Sequence, residues 1–132
     1  MAEYHSQYLT HCLRKDIAYN SAASGTAVLI GTLPKGAVVM STTVAIKVAF
    51  NAGTSNDIIV GTSGDPDALV ATGGVTETSV AATRVAPATL AGNVAASADT
   101  PLYVTYTQSG TAASAGTASI MVEYALDPTK YL

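Results

Sequence analysis

Over residues 38–50 the apolar side chains fall on alternate positions: Val44, Ile46, Val48 and Phe50 share one side, and Ala45, Lys47 and Ala49 share the other. A period of two is what a half-buried β-strand requires, because successive side chains leave opposite faces of the pleat. Lys47 marks the solvent side. The same alternation returns near the C-terminal end, where Ala118, Ile120, Val122 and Tyr124 form an inner set and Thr117, Ser119, Met121 and Glu123 an outer one. No stretch of useful length keeps the 3.6-residue apolar period of a helix. The chain must therefore build its core from strands.

Turn signals cut the chain at short intervals. Pro34 and Gly36 turn it before residue 38, Asn51 and Gly53 after residue 50, and Gly64, Asp65, Pro66 and Asp67 again after a short apolar run at 57–62. Proline sets φ, glycine admits positive φ, and Asn and Asp bond their own backbone, so each cluster favours a reversal. Strands are expected at residues 27–30, 38–50, 57–62, 102–107 and 117–124. Weaker ones are expected at 68–72, 76–85 and 90–96. Many short strands punctuated in this way predict an all-β antiparallel sandwich or small barrel.

Residues 1–25 differ in character. They hold Tyr4, Tyr8, Tyr19, both histidines, Cys12 and the run Arg14-Lys15-Asp16, whereas the chain beyond is rich in Ala, Thr, Val and Gly. The expected division is an N-terminal arm at 1–25 and a sandwich body at 26–132 with a short C-terminal tail. Within the arm, residues 9–20 alternate as an extended strand. Tyrosine, large and apolar with one polar tip, is enriched at interfaces. Tyr4, Tyr8, Leu9, Leu13, Tyr19, Tyr131 and Leu132 are therefore the expected interface residues, ordering on a partner or a neighbouring copy. The alternative is that both ends dock on their own body as edge strands.

Only 11% of the 132 residues are charged, against about 25% in an ordinary globular chain. So little charge suits a surface that copies of the chain or a larger assembly cover; a stable extracellular domain with a Ser/Thr surface is the other possibility. The net charge is −3, and the six Lys and Arg are scattered. Nucleic-acid binding needs clustered cations, and membrane docking needs a polybasic segment, so neither partner is expected. A lone cysteine excludes an internal disulfide, and the N-terminal segment lacks the basic and apolar regions of a signal peptide, so synthesis in a cytoplasm is expected.

Chemistry has little to work with. His5, His11 and Cys12 are too few and too loosely placed for a zinc site, and His11 and Cys12, as strand neighbours, face opposite ways. Asn56, Asp57, Asp65 and Asp67 are the one acidic cluster. Their spacing fits no EF-hand loop, and turn formation is the expected role, with a weak calcium site as the alternative. No Gly-rich phosphate loop or nucleophile elbow is present. No catalytic residue, cofactor or metal site is expected, and the chain is not expected to be an enzyme.

An ordered set of segments carries a resemblance. Leu33-Pro34-Lys35-Gly36-Ala37-Val38-Val39 leads into the strand at 44–50. Val60-Gly61-Thr62-Ser63-Gly64-Asp65-Pro66-Asp67 follows, and then Thr100-Pro101-Leu102-Tyr103-Val104-Thr105-Tyr106 precedes Ala118-Ser119-Ile120-Met121-Val122-Glu123-Tyr124. Over residues 33–125 this order resembles the decoration, or cement, proteins of tailed bacteriophage capsids, with a jelly-roll-like sandwich. The resemblance implies a protein of the virion's outer capsid surface, made in the host cytoplasm. It implies binding as a homodimer or homotrimer and clamping of neighbouring major capsid subunits. It transfers no site residues. A tail or neck structural protein and a fibre-type carbohydrate-binding module are the competing functions; the absence of Trp disfavours the second.

Overall fold

The computed structural model describes residues 10–87 and 96–126. Seven strands run β1 Thr10–Ala18, β2 Ala27–Leu33, β3 Ala37–Val48, β4 Ser55–Gly61, β5 Ala81–Val85, β6 Thr100–Ser109 and β7 Thr117–Leu126. They form a four-stranded sheet in the order β1-β7-β3-β5 and a three-stranded sheet in the order β2-β6-β4, and every pairing is antiparallel. The order is that of a jelly roll with one strand reduced. The fourth position of the smaller sheet, beside β4, is held only by a single bridge between Val60 and Val70.

The core lies between the sheets. Ile17, Val39, Val44, Ile46, Ile120 and Val122 come from the larger sheet, and Ile30, Ile58, Val60, Leu102 and Val104 from the smaller. Phe50 closes one end, 1% exposed, with its ring 4.7 Å from that of Tyr106. Gly116, at φ 143°, lies against the face of Phe50 where a Cβ would clash with the ring. No other residue fits that contact in that conformation.

Two features of β3 depart from strict alternation. The ladder with β7 shifts register between Val39 and Ser41 and again between Ile46 and Val48. Each extra residue turns the following side chains to the other face. Val48, expected inside with Val44 and Ile46, is 46% exposed, and Met40 is 52% exposed. Phe50 reaches the core only after the strand has ended. The expected strand at 76–85 is confined to Ala81–Val85, and that at 68–72 amounts to the Val70 bridge. Most of the expected strand at 90–96 lies outside the described residues.

The segment 1–25 does not stand apart from the body where it is described. β1 pairs with β7 from Thr10↔Ala125 to Ala18↔Thr117, and Ile17 is buried in the core. The expected boundary at 21–25 is simply the connection from β1 to β2. The alternating apolar residues of β1 provide the reason: Leu13 and Ile17 share the face turned to the core, and burying them in cis completes the sheet.

Candidate interaction surfaces

The three strands of the smaller sheet hold one charged residue, Asp57. Register places two rows of side chains on its outer face: Leu29, Tyr103 and Gly61 in one, Ala27, Thr105 and Ile59 in the next. Leu29 is 51% exposed, Tyr103 and Ile59 are half-buried, and Pro101 is exposed beside Thr32. Asp57 sits at the margin with both oxygens engaged: Thr72 Oγ1 donates to Oδ2 at 3.0 Å and the Gly73 N–H to Oδ1 at 3.3 Å. At Gly61 the backbone of Asp65 and Pro66 occupies the space a Cβ would need, so the loop carrying Asp65 and Asp67 rims the face there. The surface is an apolar centre with an acidic rim.

The outer face of the larger sheet is built differently. That side carries Arg14, Asp16, Arg84 and Glu123. Arg14 Nε donates to Asp16 Oδ1 at 3.2 Å, and Ser119 Oγ donates to the same oxygen at 2.6 Å. Ser119, on the outer side as expected, is only 1% exposed because these two side chains lie over it. Its hydrogen bond, then Arg14, hold the Asp16 carboxyl below the usual carboxylate range. Across β3, Arg84 Nε donates to Ser41 Oγ at 3.0 Å and approaches Glu123 at 3.7 Å through Nη2. These charges satisfy one another.

Of the residues expected at an interface, Tyr4, Tyr8, Leu9, Tyr131 and Leu132 lie outside the described residues. Leu13 and Tyr19 are partly buried and pack against the core of their own chain. Leu13 lies against Gly31 of β2, and the Tyr19 N–H donates to the Gly116 carbonyl at 2.9 Å. The described chain begins at Thr10 and ends at Leu126, and the pairing of Thr10 with Ala125 brings these two residues to one corner of the larger sheet.

The polar residues singled out in the sequence do not assemble a reactive centre. His11 stacks on Tyr124 at 5.4 Å, while Cys12 is exposed on the opposite face of β1. Among the described residues no group of three or more His, Cys, Asp or Glu could hold a metal ion. Asn56 accepts hydrogen bonds from the Ala52 N–H and the Tyr106 hydroxyl. Asp65 shares a hydrogen bond with Asp67, which raises its pKa above the ordinary value. A hollow between the β1–β2 connection and Tyr106 has room of about 10 Å³, no more than one water.

The outer face of the smaller sheet lies apart from the tyrosine-bearing ends where the sequence led contacts to be expected. A signal was present. The runs Ala27-Val28-Leu29-Ile30 and Leu102-Tyr103-Val104 are apolar on both sides of the strand, which marks two covered faces.

No protein-family model matches the sequence, and no curated protein matches it. Solved structures do. A chain of the cyanophage Pam1 capsid asymmetric unit superposes with a TM-score of 0.71 at 15% identity, covering 96% of this chain and 91% of that one. A chain of the Ralstonia phage GP4 capsid superposes with a TM-score of 0.61 at 17% identity, covering 89% and 84%. The fold is one that phage capsids use.

Proposed function

We propose that the chain is a structural protein of a phage virion, bound to the outer capsid surface, where it cements neighbouring major capsid subunits. The end-to-end likeness to chains of two phage capsids supports the setting. The observation that carries the binding role is the outer face of the smaller sheet. Leu29, Tyr103, Ile59 and Pro101 form an uncharged centre rimmed by Asp57, Asp65 and Asp67. An apolar centre within a polar rim is the anatomy of a protein–protein interface. The acidic rim suits a partner whose matching surface is apolar in the middle and basic at its edge.

The mechanism is multivalent clamping. Self-association as a homodimer or homotrimer presents the face more than once, so each further contact forms at high effective concentration. The ends at 1–9 and 127–132, with Tyr4, Tyr8, Leu9, Tyr131 and Leu132, add contacts from the corner at Thr10 and Leu126.

The test adds purified protein to undecorated heads. Saturable binding and a higher disruption temperature are expected. Absence of binding, or binding without a gain in heat resistance, overturns the cementing role. Removing residues 1–9 tests the ends separately. It leaves β1 and Ile17 in place, so a folded chain with weaker binding is the expected result.

A further inference from the structure

The position beside β4 that a jelly-roll strand would fill is covered by residues 62–80. They hold Asp65, Asp67 and Glu77 and no Lys, Arg or His. Leu69, Val70 and Val75 of this segment are buried in the core. The backbone of Val70 satisfies Val60. The next edge-facing N–H, that of Ile58, meets no strand. It donates instead to Oε1 of Glu77 at 2.9 Å, and the Glu77 carbonyl accepts the Phe50 N–H at 3.0 Å. Glu77 is only 6% exposed. One side chain thus replaces a strand on the edge of the smaller sheet.

A carboxylate is an expensive group for this task. It must leave water, and it shares the site with the Asp57 carboxylate of β4 and the Tyr106 hydroxyl of β6. A protonated carboxyl keeps its C=O to accept the Ile58 N–H, loses the charge, and removes the repulsion from Asp57.

We propose that Glu77 is an acid-tightened clasp, whose carboxyl holds residues 62–80 against β4 most firmly when protonated, so that mild acid closes this sheet edge and rising pH loosens it. Burial acts in this direction first, raising the Glu77 pKa; the negative charge of Asp57 adds to it, and the Ile58 N–H offsets part of it. The folded chain then binds the proton more tightly than the unfolded one. Stability falls as pH rises from the ordinary glutamate value through the raised one, and is level above.

The proposal concerns the isolated chain and does not rest on what the sheet's outer face binds. Its test is amide hydrogen exchange from about pH 4 to about pH 8, corrected for intrinsic rates, with β7 amides as reference. Ile58 protection relative to β7 is expected to fall by about tenfold across that range in the wild-type chain. In Glu77→Gln, which keeps an acceptor without a charge, Ile58 protection should be high and independent of pH. Asp57→Asn, which leaves Glu77 in place, should shrink the pH dependence. Asp65→Asn should leave it unchanged at Ile58. Wild-type protection that does not vary with pH overturns the clasp. So does the same slope in Glu77→Gln or, should that variant not fold, an undiminished slope in Asp57→Asn.

Discussion

The two outer faces of this sandwich have the same pleat and opposite chemistry. On the four-stranded sheet, Arg14 with Asp16 and Arg84 with Glu123 form local pairs bridged by Ser119 and Ser41. That face meets water on its own terms. On the three-stranded sheet, the one strand charge, Asp57, is tied to a loop, and the centre is left to Leu29, Tyr103 and Ile59. Four of the chain's six cations stand in the first sheet and none in the second. The low overall charge is therefore not spread thinly; it is withheld from one face. A face kept free of charge in this way suits cover by a partner, as the proposed capsid contact would supply.

Exchanging the properties of the two faces tests whether they differ in role. Leu29→Asp together with Tyr103→Ser should leave the fold intact and weaken binding to undecorated heads by about thirtyfold or more, the loss typical of central interface residues. Val48→Asp, an equal insult to the charged face, should leave head binding unchanged; cosedimentation reads both. Comparable losses from the two would mean that the faces do not differ in role.

The inner sides differ as well. The Tyr106 hydroxyl of the smaller sheet donates to Asn56 at 2.7 Å, whereas Thr42 of the larger sheet is fully buried and its Oγ1 finds no partner among the described residues. Thr42→Val keeps the shape and removes the orphaned hydroxyl. Denaturant unfolding should show a gain of about 1 kcal/mol.

Smaller effects sharpen the picture of the charged face. Arg84→Ala should cost under about 1 kcal/mol, because its pair with Glu123 is long and exposed. Asp16 should respond to pH in the sense opposite to Glu77. Its pKa is lowered in the folded chain by Ser119 and then Arg14. Its contribution is present above the ordinary aspartate value and is lost as pH falls through the lowered one. Asp16→Asn should flatten the acid limb of a thermal-melting profile, and Glu77→Gln the limb above the ordinary glutamate value.

Much of the fold was legible from local pattern. The alternation at 117–124 places Ile120 and Val122 inward as read, the extended stretch expected within 9–20 contains β1, and the turns at Pro34, Gly53 and Pro66 fall between strands. Errors came where one residue was inserted. At Lys47 a bulge turns Val48 outward, and nothing in an alternating sequence marks where a ladder will slip. Apolar and aromatic residues near an end suit contact with another chain or docking in cis, and only the pairing of β1 with β7 shows that Leu13 and Tyr19 pack against the core of their own chain.

What the amino-acid order settles here is what each residue sees one and two places away: strand or turn, inside or outside, and a charge supply too small for an all-round solvated surface. What it leaves open is which strands become neighbours. Gathering β2, β4 and β6 into one sheet makes three separately unremarkable runs into a continuous uncharged face. Leaving the place beside β4 without a strand turns Glu77 from a polar loop residue into the cap of a sheet edge. Both depend on pairings between residues 19 to 78 positions apart (Ile58 with Glu77, Ala27 with Thr105), and such contacts exist only once the chain has closed on itself.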